Sequence, residues 1–173
     1  MPTLIVEDGS TVTDANSYID TAYLDSYASD RNLTIPTGDT DKETAILLAM
    51  DYIESFRMKF TGYKATDTQS LQWPRKYAWI DCIEFADDEI PNELKKAVAQ
   101  LVVEQQTYPL YPIPLTSSVE GAVTEKTIGP LTKKYSSVHS SVVSSRTPIA
   151  FAAVLTLLKP LFKNAGQIAV ERV

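Results

Sequence analysis

Residues 71–81, LQWPRKYAWID, gather Trp73, Trp79, Tyr77, Pro74 and the adjacent cations Arg75 and Lys76 into one short stretch of an otherwise acidic chain. Aromatic faces beside cations are what a protein needs to stack unpaired bases and hold their phosphates. A DNA contact through Trp73, Arg75, Lys76 and Tyr77 is therefore one reading of the stretch. The other is a structural clamp of Trp73, Pro74 and Arg75, in which the indole fills a gap between helices and the proline fixes the direction of the chain. In that arrangement Arg75 and Lys76 are expected at the surface, facing acids of a neighbouring copy or, failing that, phosphate.

No other residues form a catalytic constellation. The chain lacks the phosphate-binding motif G-x-x-x-x-G-K-[ST], the dinucleotide motif G-x-G-x-x-G, the zinc motif H-E-x-x-H and the nucleophile elbow G-x-S-x-G, and it has only six glycines. The single histidine, His139, lies in SSVHSSVV. Neighbours along a strand point to opposite faces, so Ser140 is badly placed for it and only Ser137 or Ser141 could be activated. A solvent-exposed strand histidine is the simpler account. The acids of ADDEIPNE lack the spaced oxygen ligands and the glycine of a calcium loop, and suit a helix N-terminus instead. Cys82 has no cysteine to pair with and no partner at metal-ligand spacing, and reads as a small half-buried apolar side chain. No enzyme, cofactor or metal is expected.

The formal charge of −6 is unevenly spread. Residues 1–56 carry eleven acids against Arg31 and Lys42, whereas residues 57–77 carry Arg57, Lys59, Lys64, Arg75 and Lys76 against Asp67 alone. Overall acidity argues against bulk phosphate binding, which depends on many Lys and Arg contacts. A local site at 57–77 escapes that objection. The N-terminus has neither a basic start nor a long apolar run, and no segment approaches a membrane span, so a soluble intracellular setting is expected.

The elements that must position the stretch are helices. Asp20 caps a short one over 21–31, with Tyr23, Leu24, Tyr27 and Ala28 facing inward. DKETAILLAMDYIESFRM, 41–58, places Ile46, Ala49, Met50 and Ile53 at helical spacing behind a capping box of Thr40 and Glu43. PNELKKAVAQLVVEQQ, 91–106, puts Pro91 at the first helical position, lines up Leu94, Ala97, Val98, Leu101 and Val102, and must end before Tyr108-Pro109. TYPLYPIPL is an extended connector. The Thr-, Val- and Ser-rich runs that follow form a polar hairpin hinged at Gly129-Pro130, which needs a partner because isolated two-stranded ribbons are marginal in water. TPIAFAAVLTLLKPLFK is a helix capped by Thr147, apolar on more than one face, and kinked or ended by Pro160. The tail, NAGQIAVERV, has strand character.

These elements predict a mainly α fold: a small bundle of about four helices with an inserted polar β-hairpin and an extended C-terminal tail. The expected divisions are a helical core at 1–106, the connector and hairpin at 107–145, a completing helix at 146–163 and the tail at 164–173. The WPR stretch crosses the body of the domain between the second and third helices, which favours the clamp over the DNA site.

Read in order, VEDGS, DANSYID, KETAILLAMDYIESF, FTGYK, LQWPR, IPNELKKAVAQL, IGPLTKKY and LLKPLF resemble the tailed-phage head-to-tail connector proteins, a family that carries the label DnaT-like single-stranded-DNA-binding protein. The resemblance covers nearly the whole chain, and Trp73-Pro74-Arg75 is its most telling step. It implies an adaptor in the virion neck, made in the host cytoplasm. Such an adaptor assembles as a homo-oligomeric ring of about twelve copies on the portal protein, meets tail or neck proteins below, and passes double-stranded DNA through its channel without specific binding. Phe162, Ile168 and Val170 are the expected portal contacts. Single-stranded DNA binding, the activity in the label, is the alternative.

Overall fold

Asp20 starts α1 (Thr21–Arg31) as expected: its backbone is extended and its Oδ1 accepts the Tyr23 N–H at 2.7 Å. Asn32 ends the helix in the left-handed region (φ 51°), where its N–H reaches back to the carbonyls of Ala28 and Ser29. Leu24, Tyr27 and Ala28 are buried and Tyr23 is half-buried. The computed structural model describes residues 3–81, 83–110, 125–128, 131–134 and 151–163.

α2 (Asp39–Glu54) begins earlier than the capping box requires. Gly38 is its N-cap, no side chain caps it, and Thr40 lies inside the helix with its carbonyl accepting the Thr44 hydroxyl at 2.8 Å. Asp39 and Asp41 in the first turn favour this start, because carboxylates are stabilised at the positive end of the helix dipole. α3 (Asn92–Glu104) takes Pro91 as its N-cap rather than its first residue, and buries Leu94, Ala97, Val98, Ala99, Leu101 and Val102. α4 (Ala152–Leu158) runs into a 3-10 turn at Lys159–Leu161 that accommodates Pro160. It buries Val154 and Leu158, with Phe151 and Leu161 buried at its two ends, while Ala152 and Ala153 are exposed and Leu155 and Leu157 half-buried, so apolar residues extend beyond its buried side.

The expected four-helix bundle does not form. α3 packs against α1, α2 and α4, while α4 has only seven residues and is too short to complete a bundle. Much of the remaining core comes from outside the helices: Ala15, Tyr18, Ile19, Phe60, Leu71, Trp73, Ala78 and Ile90 are all buried. The fold is mixed. Polar bonds fix the first three helices to one another: Lys42 Nζ meets Asp25 at 2.7 Å, Tyr27 Oη donates to Gln100 Oε1 at 3.0 Å, and Gln105 Nε2 donates to the Ala45 carbonyl at 2.9 Å.

Between α2 and α3 the chain makes two antiparallel ribbons that the periodicity did not announce. β1 (Tyr63–Lys64) pairs with β2 (Arg75–Lys76), and β3 (Trp79–Ile80) with β4 (Ile83–Glu84). Tyr77 and Asp81 turn the chain at positive φ (55° and 52°). Gly62, at φ 69°, enters β1 so close to β2 that a Cβ there would lie 2.3 Å from the Lys76 carbonyl oxygen. The end of the 3-10 turn closes on the same region: Thr61 N–H donates to Leu161 at 2.9 Å and Lys163 N–H to Lys59 at 2.7 Å.

Two compact units divide the chain, Met1–Leu110 with Phe151–Val173, and Tyr111–Ala150. In the second, β5 (Glu125–Ile128) pairs antiparallel with β6 (Leu131–Lys134), Ile128 opposite Leu131. His139, Cys82, Ile149, Ile168, Val170, most of the expected connector and the tail lie outside the described residues.

Candidate functional site

Trp73 is fully buried. Its ring stands edge-to-face with Phe60 (centroids 6.2 Å apart) and with Phe85 (6.0 Å), and the Trp73-Pro74 peptide is cis. A chain of hydrogen bonds holds the backbone on either side. Trp73 N–H donates to Tyr18 Oη at 3.0 Å, Tyr18 Oη donates to Glu54 Oε1 at 2.6 Å, and Gln72 N–H donates to Glu54 Oε2 at 3.1 Å. Burial pushes the Glu54 carboxyl above the ordinary carboxylate value, against the pull of Tyr18 and Gln72. Burial together with the charge of Glu54 pushes the Tyr18 phenol well up, so it stays a neutral donor. The Trp73 indole N–H has no partner among the described residues.

Arg75 is buried too, at 5% exposure, and this corrects its expected place at the surface. Its fork is spent on backbone: Nε reaches the Thr61 carbonyl at 2.6 Å, Nη2 the Gly62 carbonyl at 2.7 Å, and Nη1 the Gln72 carbonyl at 3.2 Å. A planar guanidinium with five donors suits this convergence, whereas a phosphate contact would need the same donors free. Gln69 organises the loop before it. Its amide donates to the carbonyls of Leu71 and Pro74 and accepts the Thr66 N–H, while its own carbonyl accepts Lys64 Nζ at 3.0 Å. Neither Glu54, Tyr18 nor Gln69 carried a sequence signal, because each acts on backbone groups many residues away or inside an irregular loop.

The residues left for a partner are Lys76 and Tyr77, both exposed. Tyr63, opposite Lys76 across the ribbon, stands edge-to-face with Tyr77 at 6.3 Å and is likewise exposed, as is Trp79. An open depression of about 570 Å³ adjoins them, lined by Lys76, Tyr77, Glu84, Phe85, Ala86 and Asp87. Its two carboxylates oppose a phosphate. Phe162 is half-buried against Phe56 (5.8 Å) and Phe60 (5.7 Å), inside its own chain. Among the described residues no three His, Cys, Asp or Glu side chains gather as a metal would require.

The profile of a family described as "Putative DnaT-like ssDNA binding protein" matches residues 2–173. The chain belongs to that family. Compared with curated proteins and with solved structures it has no match. The description of the DnaT-like family speaks of single-stranded DNA and not of a phage connector, so the comparisons lend the connector resemblance no support. Within this DnaT-like chain, the tryptophan-proline-arginine step lies inside the fold and the exposed rings lie on either side of it in the sequence.

Proposed function

We propose that the protein works by assembly, as a head-to-tail connector of a tailed phage that rings the portal, meets neck or tail proteins and extends the DNA channel. One observation carries the reading beyond the resemblance itself: Trp73 and Arg75, the residues best suited to hold an unpaired base, are consumed in positioning the chain. What remains outside is apolar surface on an acidic body, with Met58, Tyr63, Tyr77, Trp79 and Ile83 all exposed. Exposed apolar side chains gathered in one part of a chain mark contact with protein more often than with a polyanion.

The family description favours the second reading, binding of single-stranded DNA, and the exposed Tyr63, Lys76 and Tyr77 are the observation on its side. The two readings separate by experiment. Negative-stain images of the protein, alone and mixed with the portal protein of the same genome, should show rings or a collar on the portal. A strict monomer that leaves the portal bare overturns the connector reading. The DNA reading requires affinity for an oligonucleotide that falls roughly 20- to 50-fold between about 50 and 200 mM salt, as three or four phosphate contacts predict. Binding must also weaken in Tyr63→Ala and Tyr77→Ala.

A further inference from the structure

The outward face of α2 carries a second pattern. Asp41, Leu48 and Asp51 lie seven and three residues apart, which puts them on one side of the helix, and all three are exposed, Leu48 by 45%. Past the helix end, Met58 is 78% exposed and stands between Arg57 and Lys59, both exposed. Among the described residues the ion pairs within 4 Å are those of Lys42 with Asp25 and Asp39, so Asp41, Asp51, Arg57 and Lys59 have no oppositely charged partner. The helix dipole accounts for Asp41 in the first turn but not for Asp51, which sits near the C-terminal end where a carboxylate is disfavoured. Lys59 lies over the rings of Phe56 (4.9 Å) and Phe162 (5.9 Å), which fixes where its charge is held.

The chain thus offers an apolar knob among unpaired acids and another between cations. We infer that these two surfaces meet between copies, Met58 with Arg57 and Lys59 of one copy docking on Leu48 with Asp41 and Asp51 of the next. Because the two surfaces differ, each copy can present one to one neighbour and receive the other from a second. A head-to-tail contact of this type closes a ring when the rotation allows. The inference rests on the assembly reading and names the surface through which copies assemble.

Charge exchange tests it. Arg57→Glu with Lys59→Glu makes both surfaces acidic, and Asp41→Lys with Asp51→Lys makes both basic. By sedimentation and by imaging on the portal, each double variant should fail to associate with itself while keeping the wild-type circular dichroism and a single cooperative melt, lowered by no more than the lost first-turn charge or ring contact accounts for. An equimolar mixture should regain association, since the acidic edge of the first variant then faces the basic helix of the second. Rings formed by either variant alone, or a mixture that stays monomeric, overturn the inference while wild-type rings leave the assembly reading standing. Absence of wild-type rings both free and on the portal overturns the reading itself.

Discussion

Arg75→Ala tests whether the cation in the WPR step supports the fold or waits for a partner. Truncation leaves the carbonyls of Thr61, Gly62 and Gln72 without the donors they now have at 2.6, 2.7 and 3.2 Å. A hydrogen bond from a charged group is worth about 1.5–3 kcal/mol. Thr61 is buried, and its carbonyl should forfeit that amount in full, whereas Gly62 and Gln72 are half-buried and can recover part of it from water. The sum is about 3–4 kcal/mol of stability, a large part of what a domain of this size possesses. Urea unfolding at neutral pH should show the midpoint fall with little change of slope. Arg75→Lys should lose most of the same energy, because one ammonium cannot reach three carbonyls arranged around a planar fork. A loss below about 1 kcal/mol in Arg75→Ala would refute the reasoning and return Arg75 to the list of free cations.

Other perturbations bear on the same network. Tyr18→Phe removes one oxygen yet orphans the Trp73 N–H and deprives Glu54 of its shortest contact, so about 2–3 kcal/mol should be lost in a thermal melt. Because burial raises the Glu54 value in the fold, its protonated form is favoured there: the contribution is largest below the ordinary carboxylate range and is lost as pH rises through the raised value. The stability of wild type relative to Glu54→Gln should accordingly fall as pH is raised from about 4 towards 7, and a constant difference in paired urea titrations would contradict this. Gly62→Ala should cost upwards of about 1–2 kcal/mol, since φ is 69° and the new Cβ would press on the Lys76 carbonyl; calorimetry of the variant checks it.

Local signals in the sequence hold where one side chain settles one backbone group. Asp20 is such a case: a short acid ahead of an apolar run caps a helix whatever lies beyond it. The Thr40–Glu43 box does not cap the helix because Gly38 and Asp39 upstream of it, together with Asp41, offer an earlier start, and pattern alone does not weigh one start against another. The ribbons were illegible for a different reason. Strands of two residues span a single alternation and so show no repeat, and the turns that follow them rely on Tyr77 and Asp81 at positive φ rather than on glycine. No four-helix bundle forms because much of the apolar content lies outside helices, with Tyr18, Phe60, Leu71 and Trp73 bringing it from irregular chain. The burial of Arg75 is illegible for a related reason, since nothing in its neighbours shows that three carbonyls converge on it.

The geometry of the exposed rings also limits what a DNA contact could yield. Bases stacked on two platforms need ring faces that can be covered together, but Tyr63 and Tyr77 stand at 79° with centroids 6.3 Å apart, so the edge of one occupies the face of the other. The pair therefore offers no two parallel faces, and a base stacked on one of these rings or on the exposed Trp79 would gain about 1–3 kcal/mol. Of the five cations at 57–77, Arg75 is withdrawn and Lys64 is bonded to Gln69, which leaves Arg57, Lys59 and Lys76 exposed to offset Asp67. Protein contacts make no such demand on parallel faces or excess charge. A flat edge of tyrosine and a methionine between cations are good shapes for another folded surface, and the Tyr18–Glu54 bonds hold the intervening segment to the body of the domain.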